Sequence, residues 1–409
     1  MLLKLPDEIL LMIVAYIQCP DDPSRTKTVL FSDEPSRRKK DLFSCRLSCA
    51  RLSNVTSPFV FRKIDFVLGD YGCNLLNELS QSPLCRHVRE LNCYFETYSE
   101  RLASSREAFA LMAGTSYDHT AWYERYCRGY RFQCSLEQDS WQMSQLTIAV
   151  SQFSNLRTIK LSRGWQDDDG GEEAYDPPTE LSISPVGFWV FNAIMDALSS
   201  GQMNLEKLAL GSFFDSDPGT HLFDQGLVGV IQRLPPTLNE RFQRALRTLT
   251  TLKVHLPCNM ARNLEVDDAE ASLNYTGLSS IIQSAPHLEE LRLSFAGFCH
   301  PAMPEAFLRS LEIPHLRVFD FEGVTFEGPD VLLDFLARHA STLTAIRLVT
   351  SYLETGSWET VAVGLKGTSI NASIEISDLH SEFETELDGF WSEPRAFEDA
   401  VAHFIRERN

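Results

Sequence analysis

The stretch His287-Leu288-Glu289-Glu290-Leu291-Arg292-Leu293-Ser294-Phe295 decides the fold. Leu291 and Leu293 alternate with Glu290, Arg292 and Ser294, which is the period-two pattern of a strand with one apolar and one polar face. With Leu288 they make the phrase L-x-x-L-x-L. The phrase returns at Leu156-Ile159-Leu161, Leu205-Leu208-Leu210, Leu249-Leu252-Val254, Leu316-Phe319-Phe321 and Leu343-Ile346-Leu348. An earlier form sits at Val88-Leu91-Cys93, and a fainter echo at Ile370, Ile374 and Ile376. Amphipathic helix candidates lie between the phrases, at Pro185–Ser200, Leu222–Arg233, Leu278–Ser284, Pro304–Leu311 and Pro329–His339. A strand whose apolar face meets only one helix cannot close a core, whereas stacked strand–helix units can. The expected fold is therefore α/β, a right-handed parallel solenoid (horseshoe) with strands on the concave side and helices on the convex side. Spacings of 28 residues from Leu288 to Leu316 and 27 from Leu316 to Leu343 suit leucine-rich repeats. Earlier spacings of 39 to 68 demand insertions.

The chain before the first phrase has a different rhythm. Leu5-Pro6-Asp7-Glu8-Ile9-Leu10 opens a helix pattern. Pro6 suits the first helical position, and Asp7 and Glu8 complement the dipole of the first turn. Leu5, Ile9, Ile13 and Ile17 recur every four residues, and Leu10 and Tyr16 widen the stripe. Asp41 is placed to cap a second helix with Leu42, Cys45 and Leu47 on its buried side. Two or three short helices cannot bury this much apolar surface among themselves, so part of it is expected to meet a partner.

Leu-Pro-x-Glu-Ile-Leu, a run of aliphatics, then Asp41-Leu42, Arg46-Leu47, Ser48-Cys49 and the exit Phe61-Arg62-Lys63-Ile64 resemble an F-box over roughly residues 3–66. The resemblance is to fungal F-box proteins that carry irregular leucine-rich repeats behind the box. It departs from them in the insertion at about 19–40 and in Leu52, where an aromatic is common. The resemblance implies a domain plan of an F-box at 1–66, a capping region with an insertion at 67–155, an irregular solenoid at 156–393 and a C-terminal capping helix at 394–409. It implies adaptor contacts through Leu5, Pro6, Ile9, Leu10, Ile13, Ile17, Leu42, Leu47 and Leu52. It further implies a Skp-type adaptor that links the chain to a cullin–RING ubiquitin ligase. The chain would then be a non-catalytic receptor that presents a target protein, located in the cytoplasm and/or nucleus. The alternative is an adaptor-bound scaffold that degrades nothing.

Composition narrows the other classes. The 409 residues carry a net charge of −19, which disfavours general nucleic-acid binding. No apolar run approaches the ~20 residues of a membrane span. Asp7 and Glu8 stand where a secretory signal would be free of acids, so secretion is not expected. The sequons at Asn54, Asn274 and Asn371 are no more than chance supplies. Ten cysteines without C-x-x-C or metal-ligand spacing read as buried thiols in a reducing compartment. Arg37-Arg38-Lys39-Lys40 reads as part of a solvated loop or as a nuclear import signal, and Asp167–Glu173 as a solvated acidic loop. Trp122-Tyr123-Glu124-Arg125-Tyr126 suits either base stacking or helix packing with guanidinium-on-ring contacts, and the acidic chain favours packing. No nucleophile motif, phosphate-binding glycine loop or His/Cys metal pattern occurs, so neither an enzyme nor a cofactor is expected.

The residue before the last apolar position of each phrase points away from the helices. That column reads Asn92, Lys160, Ala209, Lys253, Arg292, Asp320, Arg347. Lys160, Lys253, Arg292 and Arg347 make a basic stripe suited to an acidic or phosphorylated target. Pairing between neighbouring strands, such as Arg292 with Asp320, is the other reading.

Overall fold

A computed structural model describes Leu10, residues 44–95, 98–113, 119–138, 141–163, 186–200, 203–211, Leu234, and residues 238–257, 276–296, 302–367, 372–377, 380–381 and 389–391. Outside the described residues lie Leu5, Pro6, Ile9, Ile13, Ile17 and Leu42, the segment 19–40, the acidic loop 167–173, the helix expected at 222–233 and the cap expected at 394–409. The chain is α/β and divides into two compact units. The first holds the residues up to Ile159 with 200–203, and the second holds Lys160–Arg163, 181–199 and everything from Asn204 onward.

In the first unit residues 44–48 are helical, and helix α1 follows at Ala50–Val60. Cys49 separates them with extended backbone, and its Sγ caps the new helix by accepting from the Leu52 N–H. The structure corrects the side assigned to Leu47, which is 79% exposed. Strand β1 (Lys63–Val67) pairs in parallel with β2 (Glu90–Phe95), from Lys63 opposite Glu90 to Val67 opposite Tyr94. Helix α2 (Asp70–Gln81) lies between them. Four helices follow: α3 (Glu100–Ser104), α4 (Arg106–Ala113), α5 (His119–Gln138) and α6 (Trp141–Ser151). The first three gather Leu102, Phe109 and Tyr126 into a core backed by Tyr98, Trp122 and Tyr123. Arg125 lies 5.6 Å from the Trp122 ring, so the aromatic–arginine run is helix packing.

Strand β3 (Thr158–Arg163) spans the division between the units. In the second unit, helix α7 (Val186–Ser200) precedes β4 (Lys207–Leu210), and α8 (Glu240–Leu246) precedes β5 (Thr251–Pro257). Next come α9 (Thr276–Gln283), β6 (Glu290–Ala296), α10 (Ala302–Ser310) and β7 (Val318–Glu322). The short β8 (Thr325–Phe326) leads to α11 (Pro329–Arg338), β9 (Ala345–Val349), β10 (Tyr352–Leu353) and α12 (Trp358–Gly367). The chain continues with β11 (Ser373–Ser377), β12 (His380–Ser381) and β13 (Gly389–Trp391). Strands β4, β5, β6, β7, β9 and β11 pair in parallel in chain order, and β13 closes antiparallel on β11. A second parallel ladder joins β8, β10 and β12, with Thr325 opposite Tyr352 and Tyr352 opposite His380.

Every recurring phrase with described side chains lies where its pattern requires. Leu249, Leu252, Leu288, Leu291, Leu316, Phe319, Phe321 and Leu348 are fully buried. Each large apolar side chain removed from water in this column contributes about 2 kcal/mol. Leu278 and Ile281 of α9, Phe307 and Leu308 of α10, and Leu332, Phe335 and Leu336 of α11 are buried with it. Phe319 sits 4.7 Å from Phe335 between ring centroids, which joins β7 to α11. At the turn after β7, Gly323 has φ +71° and its hydrogen faces the Phe295 carbonyl, where a Cβ would stand 2.0 Å from the oxygen. Only glycine fits there.

Two consecutive residues tie α11 to the preceding repeat. Arg338 donates from Nη2 to the Leu308 carbonyl at 2.6 Å and from Nη1 to Arg309 at 3.3 Å, satisfying carbonyls at the end of α10. His339 donates from Nδ1 to the Phe335 carbonyl at 2.8 Å and accepts the Ile313 N–H on Nε2 at 3.1 Å. Burial holds the His339 pKa below its ordinary 6.5 and Arg338 lowers it further, against the Phe335 carbonyl and Glu312. The unfolded chain therefore binds a proton that the folded chain refuses, and stability is lost as pH falls through 6.5. His339→Phe, which leaves the Ile313 N–H unpaired, is expected to cost ~1–3 kcal/mol at pH 7.5. Urea midpoints at pH 7.5 and 5.5 check this, because the gap between parent and variant narrows in acid.

Candidate functional site

The face of the second unit turned away from the buried leucines is built by strand register. Lys253 stands opposite Arg292, Arg292 opposite Asp320, Asp320 opposite Arg347 and Arg347 opposite Glu375. Three of the four cations expected to bind a target are thus brought onto one row. Lys160 lies on β3 and is exposed. Ala209 stands opposite Lys253 and adds no charge.

The row is not a field of bare cations. Lys253 Nζ lies 4.0 Å from Glu290 Oε1, and Arg292 Nε donates to that same carboxylate oxygen. Asp320 Oδ2 is shared by Arg292 Nη1 and Arg347 Nη1, each at 3.5 Å. Arg347 also reaches Glu375 with Nε at 3.2 Å. Glu290 is two residues from Arg292 on the same strand face, so three cations and three carboxylates interleave over five strands. Of the two readings of the column, cross-strand pairing describes this geometry. The Asp320 side chain is only 8% exposed, whereas those of Arg292 and Arg347 are 38% and 41% exposed. Burial pushes the Asp320 carboxyl above its ordinary value and outweighs the pull of Arg347 and Arg292 in the other direction.

A second polar row lies two residues further along the strands. His255 stands opposite Ser294, and Nδ1 and Oγ are 3.0 Å apart. Both are buried, at 2% and 7% exposure. Gly211, at φ +113°, approaches so closely that a Cβ would fall 2.5 Å from His255 Cβ. Sequence reasoning stopped at the column of Lys253 and missed this pair, although the same alternation carried one step further reaches it. In the first unit, Asn92 donates to Asp65 Oδ1 at 2.8 Å and is likewise buried.

Of the residues expected to contact an adaptor, the described ones separate by side. Leu10 is helical, 1% exposed, and packs with Val55 and Val60. Leu52 is partly buried against the same cluster with Phe59 and Phe61. Leu47 projects into solvent, and Arg46 beside it lies 5.0 Å from the Phe61 ring. Among the described residues, no group of three or more His, Cys, Asp or Glu is placed to hold a metal ion, and no helix is long and apolar enough to cross a membrane. No protein-family model matches the chain, and no curated protein matches it significantly.

The Asp320 geometry carries a pH prediction of unusual sign for a carboxylate. With its folded pKa raised, the group contributes stability that is present below the ordinary 3.8 and lost as pH rises through the folded value. Asp320→Asn should therefore gain relative to parent between pH 3.5 and pH 7. Chemical denaturation at the two pH values tests it, and a variant that falls further behind at neutral pH would show that the two guanidiniums outweigh burial.

Proposed function

We propose that the chain is the target-recognition subunit of a Skp–cullin–F-box ubiquitin ligase, with its N-terminal helices on the adaptor and its repeats on the target. The observation that carries this reading is the packing of Leu10 with Val55 and Val60. Two sequence blocks separated by a long insertion meet in one small helical cluster, as the F-box resemblance requires. Leu47, 79% exposed, supplies apolar surface that the described residues leave uncovered.

The repeat half of the reading draws on topology. Strand order from β4 to β11 follows chain order without reversal. A doubly wound sheet would instead contain a switch point where the order turns back. The second ladder repeats with 27 residues from Thr325 to Tyr352 and 28 from Tyr352 to His380, in step with the main one. Both features support a stacked leucine-rich-repeat solenoid. Such a receptor makes no bond itself. It raises the concentration of a target lysine near a ubiquitin thioester carried by the ligase.

The test is capture of a Skp-type adaptor by the full chain. Leu47→Asp places a charge at an apolar contact, and a loss of roughly tenfold or more in adaptor affinity is expected, with an unchanged melting curve because the side chain is exposed in the free protein. Ile9→Asp with Ile13→Asp should abolish capture. Binding intact in both variants would sink the F-box reading. Cullin recovered with the adaptor supports the ligase, and adaptor without cullin supports the non-degradative scaffold.

A further inference from the structure

Lys253, Arg292 and Arg347 of the strand face are each answered by a carboxylate, so a ligand there must break existing pairs before it gains new ones. The helix side of the second unit differs. A cleft of about 510 Å³ opens between the end of α8 and the end of α9. Arg244 and Arg247 line it from α8 and its C-cap, together with Glu240 and Gln243, and Gln283 and Ser284 face them from α9 and its exit. Arg244 Nε donates to its own helix at the Glu240 carbonyl, 3.3 Å away, which steadies the stem and leaves the terminal amino groups unengaged among the described residues. Arg247 makes no side-chain hydrogen bond or ion pair among the described residues. The neighbouring Arg241 behaves otherwise and is paired with Asp196 at 2.9 Å. Among the described residues the cleft thus carries two guanidiniums against one carboxylate, in a chain of net charge −19.

The lining also says what kind of anion belongs there. Both arginines are exposed, and a lone ion at exposed cations is held weakly because water screens the attraction. An occupant that stays needs other contacts as well. Leu238 and Pro286 supply an apolar floor and edge, and the Gln283 amide, unbonded among the described residues, offers a donor and an acceptor of the kind that pairs with peptide backbone. The volume lies within the range of clefts that hold ligands of several residues or drug size. We propose that this cleft takes an acidic peptide segment, with Arg244 and Arg247 on its carboxylate or phosphoryl oxygens and Gln283 on its backbone.

The proposal builds on the receptor reading but moves recognition from the strand face to the helix side. Its test is fluorescence anisotropy of the full chain with a short fluorescein-labelled peptide of alternating Glu and Ala. The same peptide with Gln for Glu, and with phosphoserine for Glu, distinguishes charge from shape and carboxylate from phosphoryl. Acidic peptides should bind about tenfold more tightly than the Gln peptide, the size of one charge-assisted contact. Arg244→Glu with Arg247→Glu should weaken them by at least about that factor. Arg292→Glu, on the strand face, should not. Urea midpoints confirm folding, and Arg244→Gln with Arg247→Gln replaces the reversal if it fails to fold. Equal binding of Glu and Gln peptides, no binding of either acidic peptide, or loss on Arg292→Glu in place of the cleft variants overturns the proposal. Adaptor capture is measured on the same variants. Intact capture with absent peptide binding removes the cleft alone, and lost capture in unaltered chain removes the receptor reading alone.

Discussion

The second unit depends on parallel register between successive strands. At the start of one strand after another, a single carbonyl accepts two N–H groups from the next repeat. Thr250 O takes Glu289 and Glu290, Glu289 O takes Arg317 and Val318, and Arg317 O takes Thr344 and Ala345. These bonds hold Leu252, Leu291, Phe319 and Ile346 in one line. A shift of one residue would turn every one of those side chains from the core to the opposite face. The apolar column and the hydrogen-bonded starts therefore enforce each other, and neither is stable in a single repeat.

The charged row is a consequence of the same register. Once the leucines are aligned, Lys253, Arg292, Asp320, Arg347 and Glu375 must also align, because they alternate with the leucines along each strand. Like charges held at strand spacing would repel, and the interleaved carboxylates of Glu290, Asp320 and Glu375 remove that strain. Asp320 bears the cost, being the most buried charge of the row. A face balanced in this way contributes to order along the sheet more than to attraction for an acidic ligand. Arg244 of α8 and Arg247 at its C-cap, which meet no carboxylate among the described residues, are then the more informative feature.

Between the repeats, the contacts are of a different kind. His339 and Arg338 each join a helix end to the repeat before it through backbone groups that would otherwise lack a partner. Such ties use little apolar surface and much directional bonding. The aromatic chain Phe319, Phe321, Phe326 and Trp358, with centroids between 4.6 and 6.4 Å apart, carries the packing across from one ladder to the other.

The alternation Leu291-Arg292-Leu293 and its relatives determined the strands, the buried side and the α/β class, because period two is a local property that any strand with one buried face must show. Helices α7, α9, α10 and α11 were legible for the matching reason, a four-residue apolar period with proline or a polar cap at the start. Helix α8 and the helices at 100–113 and 141–151 were not, whereas the Trp122–Tyr126 run already favoured the packed helix α5. The column of Lys253, Arg292 and Arg347 was legible as a column, but its electrostatics were not. Whether a cation meets solvent or a carboxylate depends on which strand becomes its neighbour and on the burial of Asp320. Leu47 shows the same limit from the other side. Its helical spacing matched that of core residues, and only the break at Cys49 turned it outward, because one extended residue rotates the helical turn of residues 44–48 away from the axis of α1.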